Sequence, residues 1–243
     1  MTDTTDALSR WIRWPGVLAG VALAALIGSV MLVRSGLWQQ GLKIYAVSAL
    51  CSLILLALLA VLFLLPRFAE SRGAIIKRAL PAVPGAIAMV LALQGGSVPA
   101  IHDITTDTDD PPLFEAAPAV RGANSNSLVI DSEVIDQQLA AYPDLGTFES
   151  PRSYASTYNL ALTTARDMDW EIIREDPNAG YIEAVDTTAI MNFKDDVVIR
   201  VRTNESGSLV DLRSVSRVGI SDLGANAARI QRFLSALQSA AQG

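Results

Sequence analysis

Apolar residues follow two different patterns along this chain. Up to about residue 101 they run almost without interruption. Beyond that point they alternate with polar residues or recur every three or four positions. The stretches 16–33, 44–65 and 79–101 contain no charged residue. A bilayer core is crossed by roughly 20 mainly apolar helical residues, so each stretch predicts a transmembrane helix. Trp11, Trp14, Trp38 and Tyr45 flank the predicted spans, where amphipathic rings suit the membrane interface. Pro81 and Pro84 fall in the first turns of the third stretch, where the missing N–H groups cost least.

The second half predicts mixed secondary structure. Tyr154, Tyr158, Ala161, Ala165 and Met168 draw one apolar stripe, so 151–168 reads as a helix. Four strands follow at 170–175, 181–191, 197–203 and 209–218, with turns at 177–180 and 204–207. In the third strand Val197, Ile199 and Val201 oppose Val198, Arg200 and Arg202. In the fourth, Val210, Leu212, Ser214 and Ser216 oppose Asp211, Arg213, Val215 and Arg217. The last helix is predicted over 222–241, capped by Ser221, with Leu223, Ala227, Ile230, Leu234, Leu237 and Ala241 buried. Short strands joined by tight turns favour an antiparallel meander. The fold class is therefore α+β: three N-terminal transmembrane helices, then a domain with a four-stranded antiparallel sheet and helices packed on one face. The expected divisions are a membrane region at 1–101, an acidic proline-containing linker at 102–127 and the α+β domain at 128–243.

Charge separates the same halves. Residues 1–100 carry 8 Lys and Arg against 3 acids, and residues 101–243 carry 11 against 22. The acidic excess argues against nucleic acid as a partner. The basic residues Arg67, Arg72, Lys77 and Arg78 between the second and third spans place that segment in the cytoplasm. The N-terminus is then cytoplasmic too, and the C-terminal domain lies outside, which in the bacterial inner membrane means the periplasm. No charge interrupts a span, so an anchor is expected rather than an ion or proton pathway. Cys51, the one cysteine, leaves no intrachain disulfide to form.

Candidate chemistry lies on the polar side of the strands. Glu183, Arg200, Arg202, Asp211, Arg213 and Arg217 can lie side by side, with Asp195 and Asp196 just before the third strand. Arginine is a bidentate donor, so this face could take the carboxylate or phosphate of a ligand. The alternation of sign equally predicts cross-strand ion pairs. His102, Asp103, Asp107, Asp109 and Asp110 in the acidic linker could hold a cation, or its aspartates could equally pair with the arginines. Asp222, Asn226 and Arg229 mark the start of the last helix, where the turn at 219–222 could face an anion. No Gly-x-Ser-x-Gly, phosphate loop or paired histidines occur, and no motif implies a cofactor or a resident metal.

Several stretches together resemble the family catalogued as domain of unknown function 1499. They are 102–112, Tyr142-Pro143, Trp170, 182–184, 193–196 with 198–200, and above all 211–230, DLRSVSRVGISDLGANAARI. Ala189–Met191 departs from that pattern, which sets an aromatic before Phe193. The resemblance implies no reaction and no catalytic residues. The expectation is a membrane-anchored binding or interaction module that recognises an envelope protein, another membrane protein or an anionic lipid headgroup. The competing expectation is an enzyme acting on a lipid or cell-envelope substrate, with Asp103, Asp107 or Asp195 as acid/base and Arg213 as anion clamp.

Overall fold

A computed structural model describes residues 2–95 and 98–242. They form two compact units, 1–96 and 97–243.

The first unit is helical. Helix α1 (Thr2–Arg34) and helix α2 (Trp38–Leu64) are followed by a broken helical run. This consists of a 3-10 turn (Pro66–Ser71), α3 (Arg72–Ala79), a second 3-10 turn (Leu80–Ala82) and α4 (Val83–Gly95). Three stretches are long and apolar enough to cross a membrane: Arg10–Arg34, Trp38–Leu64 and Pro66–Gln94, of mean hydropathy 2.4, 2.9 and 1.6. The third differs from expectation at both ends. It stops near 95 rather than 101, and the basic stretch 66–78 is helical rather than a loop. Phe68 and Ile75 explain this: two helical turns apart, both are buried with Ile12, Leu59 and Leu62. Arg67 and Arg72 turn outward, and Arg72 lies 5.2 Å above the Phe63 ring. Small residues let α2 approach its neighbours, since a Cβ on Gly41 would meet the Ser29 carbonyl and one on Gly85 the Ser52 side chain.

The second unit is an antiparallel sheet with helices. It has six strands, not four: β1 (Asp103–Thr105), β2 (Phe148–Ser150), β3 (Glu171–Asp176), β4 (Tyr181–Thr187), β5 (Lys194–Asn204) and β6 (Gly207–Ser216). The order is β1-β6-β5-β4-β3, with β2 also pairing β6. The two added strands lie end to end along the outer edge of β6, Ile104 opposite Ser214 and Glu149 opposite Leu209. The segment read as a linker is thus part of the domain. β4 ends at Thr187 rather than at 191, because Thr188 and Phe193 close a turn through the Thr188 N–H and the Phe193 carbonyl.

Helices α7 (Tyr154–Asp167) and α8 (Ala225–Gln242) cover one sheet face. The shorter α5 (Ala117–Val120) and α6 (Ser132–Ala141) precede them. Between the sheet and α7/α8 lies the core: Val197, Ile199, Val201, Val210 and Leu212 from the strands meet Tyr158, Ala161, Ile230, Phe233 and Leu237. Trp170 stacks on Phe233 at 5.3 Å between ring centres. The last helix starts at Ala225, three residues later than expected. Leu223 adopts φ 54° outside the helix and is exposed, while Phe233, absent from the expected stripe, is fully buried.

Candidate functional site

Strand alternation sends Glu183, Asp196, Val198, Arg200, Arg202, Asp211 and Arg213 to the face opposite α7 and α8. That face is not solvated: Glu183, Asp196, Arg200, Asp211 and Arg213 are all buried. What covers it is the chain from the end of β1 through α5, a strap over residues 106–121. A buried charge is costly unless it is paired, and here each is paired.

The strap and the sheet match group by group. Arg213 forks onto Asp103, with Nε and Nη2 at 2.9 and 2.6 Å from the two carboxylate oxygens. Its Nη2 also donates to the Leu128 carbonyl, and the Phe114 ring lies 5.5 Å from its guanidinium carbon. Arg217 forks onto Asp196, which also faces Arg121 at 3.1 Å. Burial pushes the Arg121 pKa down, Asp196 opposing this and Arg217 adding to it. The Glu183 carboxylate accepts from the backbone N–H groups of Glu115, Ala116 and Ala117, where the strap turns into α5. Arg174 reaches the same carboxylate at 3.4 Å.

The Arg200 end is more open. Arg200 donates to Asp107 at 2.9 Å, to Asp110 at 2.8 Å and to the Asp110 carbonyl, and it stands 3.4 Å from Asp211 across the strands. Arg202 bridges Asp107 and Asp211 at 2.9 and 2.7 Å. Asp211 also accepts from the Thr106 and Thr147 hydroxyls. Burial lowers the Arg200 pKa, but Tyr181 and the Asp211 and Asp110 carboxylates outweigh it, and the net displacement is upward. The Arg202 side chain is 39% exposed and that of Asp110 73%, so this end meets water. The Nε atoms of Arg200 and Arg202 are buried and have no hydrogen-bond partner.

The remaining sequence candidates lie elsewhere. Asp195 is on the α7/α8 face with Arg229, which is ion-paired to both Asp195 and Asp186 and donates to Ser214. Asn226 joins this buried cluster through Ser214, Ser216 and the His102 carbonyl. Asp222 fills the turn before α8, accepting from the Gly224 and Asn226 N–H groups, so a carboxylate already occupies that turn. Asp103 and Asp107 are thereby separated from Asp195 by the sheet. Among the described residues, no group of three or more His, Cys, Asp or Glu is arranged to hold a metal ion. A groove of about 270 Å³ between residues 144–148 and α8 is lined by none of the candidates.

Reasoning from sequence missed Arg121, Arg174 and the Asp186 partner of Arg229. Arg121 lies far along the chain from Asp196, and no local spacing pairs them, whereas Arg174 is two residues from Asp176 and stands opposite Glu183 across the 177–180 turn, a pairing the hairpin could have revealed.

These features define an α+β domain whose arginine face is closed by its own acidic strap, preceded by three apolar helices. The chain belongs to the family described as Protein of unknown function (DUF1499), whose model matches residues 103–237. The match begins at Asp103, so it takes in the strap as well as the sheet. No curated protein matches the chain.

Proposed function

We propose that this is an integral protein of the bacterial inner membrane, with its N-terminus cytoplasmic and its sheet domain periplasmic, that serves as a recognition module. The recognised feature is an anionic group, phosphate or carboxylate, received by Arg200 and Arg202. The observation that carries this reading is the contrast within the ionic layer. Around Arg213 and Arg217 the strap seals the pairs. At Arg200 and Arg202 it closes with the exposed Asp110, so the two Nε donors unused there lie where the layer meets water, whereas the unused Nε and Nη1 of Arg121 lie at the sealed end beside Asp196. An incoming anion that displaces the 107–110 bend gains the Arg200 and Arg202 donors and replaces one carboxylate by another, so the exchange leaves no arginine uncompensated.

The test uses the full chain in nanodiscs, titrated with polyphosphate in one arm and with phosphatidylglycerol vesicles in the other. Binding of polyphosphate that weakens in Arg202→Gln and strengthens in Asp110→Asn supports a soluble anionic partner. Binding of the vesicles alone, with the same response to the two variants, supports a lipid headgroup. Affinities unchanged by both variants would remove Arg200 and Arg202 from the function.

A further inference from the structure

The seam between α1 and α2 carries a furrow on the outside of the helical unit. A groove of about 360 Å³ is lined by Arg10, Trp11, Trp14, Pro15 and Leu18 of α1 and by Leu58 of α2. A second groove of about 360 Å³ starts at the same Leu18 and runs on over Ala22, Ala25 and Ser48. Trp11, Trp14, Leu18 and Ala25 are spaced by three, four and seven residues, so they share one face of the helix. Ala25 stands 14 residues beyond Trp11, which is about 21 Å along a helix. Half of a bilayer's hydrocarbon core is about 15 Å deep. The furrow is therefore long enough for one acyl chain of one leaflet, with tryptophans at its mouth where a headgroup begins.

That mouth is also the basic end of the helical unit. Ile12 packs with Leu59, Leu62, Phe68 and Ile75, which brings the start of α1, the end of α2 and the 66–78 stretch together. These segments carry Arg10, Arg13, Arg67, Arg72, Lys77 and Arg78 against Asp3, Asp6 and Glu70. Arg67 and Arg72 lie over the Phe68 and Phe63 rings. Arg78 donates to the Ala74 carbonyl, and its stem fills the place where a Cβ on Gly16 would stand. Among the described residues, Arg10 alone adds a charge to the lining of the furrow.

Charge and shape select the occupant. The walls beyond Arg10 are apolar save for Ser48 and Cys51, and the Ser48 carbonyl and hydroxyl leave no further cation there. A phospholipid places an anionic phosphate at one end and an alkyl chain along the rest, which matches a cation at the mouth and apolar walls below it. A helix from another protein would have to bring an acid to the depth of Arg10 to match it equally.

We infer that the furrow is a binding site for one anionic glycerophospholipid, with its acyl chain along Leu18 and Ala25 and its phosphate at Arg10. The inference rests on the membrane-spanning reading of the three helices and is separate from the Arg200 and Arg202 site. The apolar walls accept the chain of any phospholipid, so selectivity comes from the headgroup. A basic group at a membrane surface favours an anionic headgroup by about 1 kcal/mol, which is about fivefold.

The test uses brominated lipids, whose acyl chains quench the tryptophans they touch. The full chain carrying Trp38→Phe is reconstituted in phosphatidylcholine vesicles, so that the exposed Trp11 and Trp14 report on the furrow. Trp170, buried in the core of the sheet domain, gives a constant background. A minor fraction of the lipid is dibrominated phosphatidylglycerol in one arm and dibrominated phosphatidylcholine in the other. The expected result is quenching at about fivefold less phosphatidylglycerol than phosphatidylcholine. This preference is lost in Arg10→Gln and kept in Arg13→Gln, whose side chain does not line the furrow, and in Arg200→Gln/Arg202→Gln. Equal quenching by the two lipids overturns the inference and leaves the helices in the membrane. A preference that survives Arg10→Gln, or that either control removes equally, places the lipid elsewhere and overturns it too. Quenching that disappears as the protein is concentrated in the membrane gives the furrow to a helix of a second copy, again overturning it. Absence of quenching by either lipid overturns the membrane-spanning reading itself.

Discussion

Replacing Arg213 by alanine tests whether the strap is a structural member of the domain. Arg213 is 1% exposed and joins three segments: β1 through Asp103, the strap through Phe114 and the following loop through the Leu128 carbonyl. Arg213→Ala leaves the Asp103 carboxylate without its cation. Removing one partner of a buried pair costs about 3–5 kcal/mol. Asp103 retains some access to water, which favours the lower figure, and the lost Phe114 contact adds about 0.5–1 kcal/mol. The sum approaches 4 kcal/mol, a large part of the roughly 5–15 kcal/mol that a domain has in total. Pulse proteolysis of the full chain in detergent with urea reads the midpoint for the domain. With a urea m-value of about 2 kcal/mol/M, the midpoint falls by about 2 M. Arg202→Ala, at the open end, costs about 0.5–1 kcal/mol because Asp211 keeps Arg200 and two hydroxyl donors. The double variant Arg213→Leu/Asp103→Leu recovers most of the loss, since no unpaired charge remains. Equal midpoints for Arg213→Ala and Arg202→Ala, or no recovery in the double variant, would show that the strap is not held as a structural member through Arg213.

Other expectations concern the core, a turn, pH and topology. Phe233→Ala removes the Trp170 stacking partner and costs about 3–5 kcal/mol, read as a fall in urea midpoint with the fold retained by circular dichroism. Gly180→Ala destabilises by more than about 1 kcal/mol, because φ is +79° and the added Cβ runs into the Val201 carbonyl; a neutral variant would contradict the turn geometry. The Ala179 N–H holds the Asp176 carboxyl below its usual range, with Arg174 assisting and desolvation opposing. Its stabilising contribution is therefore complete above the unfolded pKa of about 3.9 and is lost as pH falls through the lower native value. The gap between wild type and Asp176→Asn should close on acidification, and a gap that widens instead counts against this assignment. In the Cys51→Ala background, Ser206→Cys should react with an impermeant maleimide from the periplasmic side of intact cells, and reaction only after lysis would reverse the proposed orientation.

The meander was legible because β5 and β6 alternate strictly, so apolar and charged residues sort to opposite faces. Their hairpin turn is signalled locally by Asn204 and Gly207. The strands β1 and β2 were not legible: each is three residues long and pairs with β6 across a long stretch of sequence. An acidic run such as 103–110 has the composition of a solvated linker. Only the tertiary fold brings it onto the arginines of β5 and β6. The membrane region shows the same limit. Arg67, Arg72, Lys77 and Arg78 suggest a loop, yet Phe68 and Ile75 pack that segment as helix. The start of α8 was displaced because Leu223 fits the apolar stripe, although a left-handed backbone places it outside the helix.

In the proposed function, Arg200 and Arg202 form the recognition end of a strap-closed face. Site-specific photocrosslinking in native membranes tests it most directly, with a benzophenone side chain in place of the exposed Leu113 on the strap. A crosslinked product is expected that is lost in Arg200→Gln/Arg202→Gln and enriched in Asp110→Asn. The same product at the same yield in all three backgrounds would contradict it.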